Sequence, residues 1–409
     1  MTTTELRPAM SAIGSGARVV ASPYCSTPTT LLRELGARSF DVSGIQLSAG
    51  LLLGELPFLD AVREGALSMR SWHVSGGLRG LASKGAVQYL PLRSSQVASY
   101  LEGRVDVALI RISPPDKNGW CSLGPSASYT LALVRSARIV IAEVDPTMPR
   151  PYGADSRIQR SEVDYIVDSD TPLASYTAAP ISDVTERIAR SVVDLIPDAA
   201  NVQLGIGAVP QSVATFLSTS DLADLRMIGL ASDSMVPLLE SGRLVQGVGI
   251  HAAEVLGTDV IFEAAHENPA IQLSSSSVIH SPVWLAGLPR LVSVCSALAV
   301  DLSGQVASES VGGKILAGAG GSADFFDGAG LSAGGLRIIA MPATTAAGES
   351  RIAAKFEPGT AVTLPRHTVD VVVTEFGVAR LDGLSLSERA EALAEIAAPR
   401  HRDALLSSR

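Results

Sequence analysis

The chain has 409 residues, of which 46% are hydrophobic, 4% aromatic and 18% charged, and its net charge is −9. This is enough apolar material for two or three domains with aliphatic cores. An acidic chain with no basic stripe is not expected to bind nucleic acid, and with no run of 18 apolar residues no membrane span is expected.

Cys25, Cys121 and Cys295 are scattered, so neither a disulfide framework nor a metal-ligand spacing is predicted. The start, MTTTELRPAM, lacks the charged-then-apolar pattern of a signal peptide, and a reduced, cytosolic setting is expected.

In chain order, short apolar runs rich in β-branched residues recur: ARVVAS near 17, VDVALIRIS from 105, ARIVIAEV from 137, NVQLGIGA from 201, LRIIAMP from 336 and VDVVVTEF from 369. Continuous rather than alternating apolar strands predict a sheet covered on both faces. Helical patterns lie between them: TTLLRELG, SYTLALVRSA (128–137) and VTERIARSVVDLI (184–196). SLSERAEALAEIA (385–397) opens with Ser385 and has Glu388 three residues on, the signature of a capping box. Strands alternating with helices predict an α/β protein with mainly parallel sheets. The polar, proline-containing stretch 168–183 predicts a boundary, with one α/β domain over 1–183 and a second over 184–409.

Three stretches carry candidate chemistry. In NVQLGIGAVPQSV a strand runs into Gly205-Ile206-Gly207-Ala208, and Pro210 opens a helix. Free N–H groups at such a helix start can receive an anion, and the same geometry serves plain packing. The spacing is neither a dinucleotide fingerprint nor a P-loop. In LAGAGGSADFFDGAGLSAGG (316–335), Gly318, Gly320 and Gly321 can form a loop whose N–H groups converge on a thioester oxygen or an oxyanion. The alternative is a flexible surface loop. In ISPPDKNGWCSLGPSASY (112–129), successive turn signals follow a strand end, where parallel sheets bind ligands.

Together these stretches resemble the acetyl-CoA hydrolase/transferase family, class I CoA-transferases that include 4-hydroxybutyrate CoA-transferases. The resemblance rests on SPPDKNGWCSLG, SARIVIAEVDPTMPRPYG, QLGIGAVPQSV, VDLSGQVASESVG, GAGGSADFFDGA, SAGGLRIIAMPAT and VVVTEFGVARLDGLSLSERAEALAEIAAP, and spans residues 15–405. It implies two α/β domains with coenzyme A in a cleft between them. Coenzyme A or acyl-CoA would be substrate, with no tightly bound cofactor and no metal. The glycine loops, Gly205, Ile206, Gly207, Ala208 and Val209 with Gly318, Gly320 and Gly321, would line that cleft together with Ala343. A small-molecule acceptor and a homo-oligomer, or a complex with an intact homologue, are implied as partners.

The family's nucleophile is a glutamate in a His-Ser/Thr-Glu segment, which forms a glutamyl anhydride and then a glutamyl-CoA thioester. Here the segment reads LRMIGLASDSMVPLLESG. Anchored on VPLLESG and on Ser232-Asp233, the glutamate position falls on Gly229, with Met227 and Ile228 before it. The expected nucleophile is therefore absent. Cys295 stands where asparagine is common in the family, and Ser322 where glutamine is. Cys295 as a replacement nucleophile and Asp233 as a base for water are candidates, against a buried small hydrophobe and a structural turn residue respectively. Glu143 reads as a strand-end carboxylate tied to backbone N–H groups, and His280 as a loop residue near the presumed cleft. Three functions stay open: CoA transfer to a carboxylate, direct acyl transfer or hydrolysis without a glutamyl intermediate, and non-catalytic acyl-CoA binding as a partner subunit.

Overall fold

Residues 4–407 are described by a computed structural model. The chain forms two units: residues up to Thr177 together with His251–Ile279, and Ala178–Ile250 together with the residues from His280 on. Among the described residues no helix is long and apolar enough to cross a membrane.

The first unit holds a seven-stranded sheet: β1 (Arg18–Ala21), β2 (Gln46–Ala49), β3 (Ser68–Ser71), β4 (Val87–Tyr89), β5 (Val107–Ile112), β6 (Ile139–Val144) and β7 (Tyr165–Asp168). The spatial order is β4-β3-β2-β1-β5-β6-β7, and every neighbour is parallel. The chain winds outward from β1 to β4, then returns to the other side of β1, so the order reverses between β1 and β5. All six residues of β5 are buried, as a sheet covered on both faces requires.

One of those six is Arg111, with no exposed surface; its guanidinium donates to Asp145 at 2.7 Å and lies 3.3 Å from Glu143. Glu143 accepts from the Leu31 N–H at 3.1 Å, so it is the backbone-tied strand-end carboxylate expected. Desolvation pushes its pKa up to about 7, against the pull of Arg111.

The partition differs from a single break at 183/184, because residues 251–279 pack with the first unit. Val255 N–H donates to Pro125 O, Ser128 N–H to Ala253 O, Leu273 N–H to Tyr152 O and Tyr176 N–H to Gly257 O. Glu254 is buried, and its Oε2 accepts from Ser126 Oγ. The composition shift at 168–183 carries no trace of this return of the chain.

The second unit's large sheet includes β8 (Asn201–Leu204), β9 (Arg226–Ser232), β10 (Leu291–Cys295), β11 (Leu336–Ala340), β12 (Val371–Thr374) and β13 (Gly377–Arg380). Their order is β9-β8-β10-β11-β12-β13, parallel except for the closing antiparallel pair. Again the first strand has its successors on both sides, and the order reverses between β8 and β10. The helix Asp183–Val193 starts at Ser182, whose side chain accepts from Thr185 N–H. The helix Leu386–Glu395 starts at Ser385 in a capping box with Glu388, as its sequence predicts. Val202, Val213, Leu217, Ile228, Val292 and Ile338 are fully buried. Each such side chain contributes roughly 1.5–3 kcal/mol by leaving water.

Candidate functional site

In open parallel sheets ligands bind beyond the carboxyl ends of the strands, where the strand order reverses. In the second unit that point lies between β8 and β10. The chain leaves β8 at Leu204, passes Gly205 and the exposed Ile206, and reaches Gly207 at φ +123°. There α1 (Ala208–Thr219) begins. A side chain cannot easily adopt that φ, which accounts for the glycine. The N–H groups of Ala208 and Val209 lie outside the ladder of α1, and Pro210 has none to offer. Gly205 N–H donates to Val294 O across the switch point at 3.0 Å, so β10 and Cys295 border this turn.

The second glycine stretch is not a loop throughout. A helix, α2 (Ser322–Leu331), runs through its middle, capped by Gly321 and preceded by Gly320 at φ +59°. Several glycines here make room for the protein itself. A Cβ on Gly321 would lie 2.4 Å from His280 Cδ2 and 2.6 Å from its Nε2. A Cβ on Gly328 would lie 2.3 Å from Leu285 Cβ, a helix contact that sequence reasoning missed. Gly320, by contrast, borders open space. Gly318 is buried just before it.

Gly229 lies on β9, one step beyond the Gln203–Ile228 pair and so level with the carboxyl end of β8. Its φ is +100°. An ideal Cβ there would stand 2.9 Å from Phe325 Cζ and 3.4 Å from Gln203 Cγ. Phe325 belongs to the first turns of α2 and is 4% exposed. The other edge of its ring, Cε2, comes within 3.1 Å of the same construction on Gly321, and its centroid is 4.9 Å from that of His280. Gly229, Phe325, Gly321 and His280 therefore form one contiguous group. Sequence reasoning isolated the two glycines and the histidine but passed over Phe325; the Phe-Phe pair at the start of α2 was the available signal.

Beneath Gly229 lies a buried polar cluster. Ser293 Oγ donates to Gln203 Oε1 at 2.5 Å, and Cys295 Sγ approaches the same oxygen at 3.7 Å. Burial pushes the Cys295 thiol up to about 12, despite a hydrogen bond with Ser293 that acts the other way. A shift in that direction disfavours the thiolate, the reactive form of a cysteine nucleophile. Its burial beside Ser293 and Gln203 fits the alternative of a buried small residue, which the Cys295→Ala variant tests.

Asp233 opens a 3-10 turn past the end of β9 and is half-buried. Ala343 lies past β11, its N–H donating to Glu375 Oε2 at 2.8 Å. Arg351 N–H donates to Ala343 O, and the Arg351 guanidinium donates to Ala297 O past β10. Ser322 donates back to Ala319 O at 3.3 Å, closing the turn before α2.

In the first unit, the SPPDKNGW stretch forms a tight turn in which Asp116 Oδ1 accepts from the N–H groups of Asn118 and Trp120. It borders a cleft of about 590 Å³ lined in part by Trp120, Arg150, Tyr152 and Arg157. The Arg157 guanidinium lies 4.5 Å above the Trp120 ring.

Comparison with known proteins matches this arrangement to one family. The acetyl-CoA hydrolase/transferase N-terminal domain matches residues 5–175, and the C-terminal domain matches 257–409. A 4-hydroxybutyrate coenzyme A transferase of Clostridium kluyveri is 36% identical over 409 residues, covering 98% of this chain and 95% of that protein. A butyryl-CoA:acetate CoA-transferase of Anaerostipes caccae is 32% identical, covering 93% of this chain and 90% of its own. The crystal structure of RipA from Yersinia pestis superposes with a TM-score of 0.91 at 30% identity, over 99% of this chain and 96% of that one. A 4-hydroxybutyrate CoA-transferase structure from Porphyromonas gingivalis has a TM-score of 0.79 at 28% identity, over 98% and 95% of the two chains. The chain belongs to the acetyl-CoA hydrolase/transferase family and is an acyl-CoA-utilising enzyme of the CoA-transferase family.

Proposed function

We propose that this enzyme cleaves an acyl-CoA thioester by direct attack of an acceptor, such as water, an alcohol or an amine, without a glutamyl intermediate. The observation that carries this reading is Gly229. The resemblance puts the family's glutamate there, and this chain has no side chain to acylate at that position. The backbone at φ +100° and the Phe325 ring together disfavour any side chain in that place. The rest of the site keeps what a thioester needs. The starts of α1 and α2 offer N–H groups to an oxyanion, and loss of one such donor typically costs about 2.7–4 kcal/mol in the transition state.

Acyl-CoA as the substrate class is supported by relatives named for CoA transfer and by an acetyl-CoA hydrolase of Yarrowia lipolytica, 26% identical over 75% of this chain and 66% of that protein. The glycines at 205, 207, 318, 320 and 321, with Ile206, Ala208, Val209 and Ala343, are proposed to border the bound thioester. A reducing, cytosolic setting fits the three buried free cysteines, and a homo-oligomer is proposed on the family resemblance alone.

The test is mass spectrometry of the products after incubation with a panel of acyl-CoAs, first with acetate and then with water, alcohols and amines as acceptors. Free CoA with the matching acid, ester or amide is the expected result. Acetyl-CoA formed from the other thioesters would show that CoA transfer proceeds and would overturn the reading. Binding without turnover would turn it towards an acyl-CoA-binding subunit.

A further inference from the structure

With Gly229 bare, direct attack needs another group to take the acceptor's proton. We infer that His280 is that general base; this rests on the proposed reading of the site as one for direct attack. The imidazole packs flush on the glycine loop: its Nε2 lies 2.6 Å from the point where a Gly321 side chain would begin, so glycine is required there to admit the ring. Phe325 is held between His280 and Gly229, with ring centroids 4.9 Å apart on the histidine side. The imidazole thus stands one ring's width from the place where the family's nucleophile would start, beside the N-terminus of α2. The residue is half-buried; Nδ1 is buried and Nε2 is on the side of the glycine loop, so Nε2 is the nitrogen assigned the proton.

The step balances without any co-reactant. An acceptor O–H or N–H gives its proton to the imidazole while its oxygen or nitrogen forms a bond to the thioester carbon. The oxyanion is received by N–H groups of the glycine loop. On collapse the C–S bond breaks, and the CoA thiolate takes the proton from the imidazolium. The sum is acyl-CoA plus acceptor giving acylated acceptor plus CoA–SH. Phe325 leaves no room for an acyl-enzyme at 229 and presents an apolar wall, which strengthens electrostatics at the reacting atoms.

The experiment compares wild type with His280→Ala and His280→Gln on the acyl-CoA and acceptor identified by the product assay. The expected result is a kcat lowered roughly 10²- to 10⁴-fold in both variants. Acyl-CoA affinity, measured by titration, stays close to wild type, and added imidazole restores part of the lost rate in His280→Ala. A purely structural role would not give rescue by free imidazole. If His280→Ala does not fold, His280→Gln, which keeps most of the volume, carries the comparison through kcat against binding. Wild-type kcat in a folded variant, or a loss of rate in His280→Ala that imidazole does not restore, overturns the assignment while leaving direct attack standing. A wild-type enzyme that makes acetyl-CoA by transfer to acetate instead overturns direct attack, and the base role with it.

Discussion

Phe325 occupies the approach to Gly229: its Cζ lies 2.9 Å from the point where any Gly229 side chain would begin. A glutamate placed there by Gly229→Glu, at the position the proposed reading gives to the family's nucleophile, therefore meets two obstacles, the ring and a φ of +100°. The variant is expected to lose about 2–4 kcal/mol of stability, from backbone strain and overpacking together, and to gain no CoA transfer to acetate. Thermal unfolding and the acetyl-CoA product assay check the two halves. Appearance of transfer activity in the single variant would show that the ring yields easily and that only the nucleophile was missing.

Cys295 has the chemistry of a buried thiol. Cys295→Ala is expected to keep turnover within about twofold of wild type while losing roughly 1–2 kcal/mol of stability, the usual scale for a mutation in a packed interior. With burial pushing its pKa up to about 12, the native thiol is expected to resist alkylation at neutral pH, as mass spectrometry after iodoacetamide treatment would report. Loss of turnover in a folded Cys295→Ala enzyme would return this residue to the active chemistry.

Glu254 predicts a pH-dependent stability. Burial pushes its pKa from an ordinary 4.5 up to about 8, with hydrogen bonds from Ser126 and Ser128 opposing the shift. The folded state therefore binds the proton more tightly than the unfolded chain. Stability from this group is fully present below about 4.5 and is lost as pH rises towards 8, by at most about 1.4 kcal/mol per pH unit. Glu254→Gln removes the titration while keeping an acceptor for Ser126. The variant is expected to be more stable than wild type at pH 8–9 and close to it at pH 5, as denaturant unfolding at the two pH values would report. Equal differences at both pH values would contradict the assignment.

Arg111 is a cation without water, facing two carboxylates. Arg111→Ala would leave Asp145 and Glu143 buried with no counter-charge, at a cost of about 3–5 kcal/mol. Unfolding of the first unit at lower denaturant concentration is the expected outcome. A change below about 1 kcal/mol would mean that the carboxylates find other partners or take up protons.

Much of this architecture can be read locally. The runs at Val107–Ile112 and Ile139–Val144 declare buried parallel strands because an apolar residue is needed on both faces. Ser385 and Glu388 declare a helix start because their side chains close on neighbouring backbone. The glycine loops and the TEFGVA run carry the family, and the lack of a carboxylate at 229 is visible in the same letters. What a linear pattern does not contain is which distant segment fills a given space. Phe325 reaches Gly229 and His280 reaches Gly321 only once β9, α2 and the turn before Pro282 are folded together. The return of 251–279 to the first unit, and the burial of Arg111 in an otherwise apolar strand, depend likewise on partners far along the chain. Secondary structure follows from neighbours in sequence, whereas burial, pKa and the shape of a site follow from neighbours in space, and packing sets those.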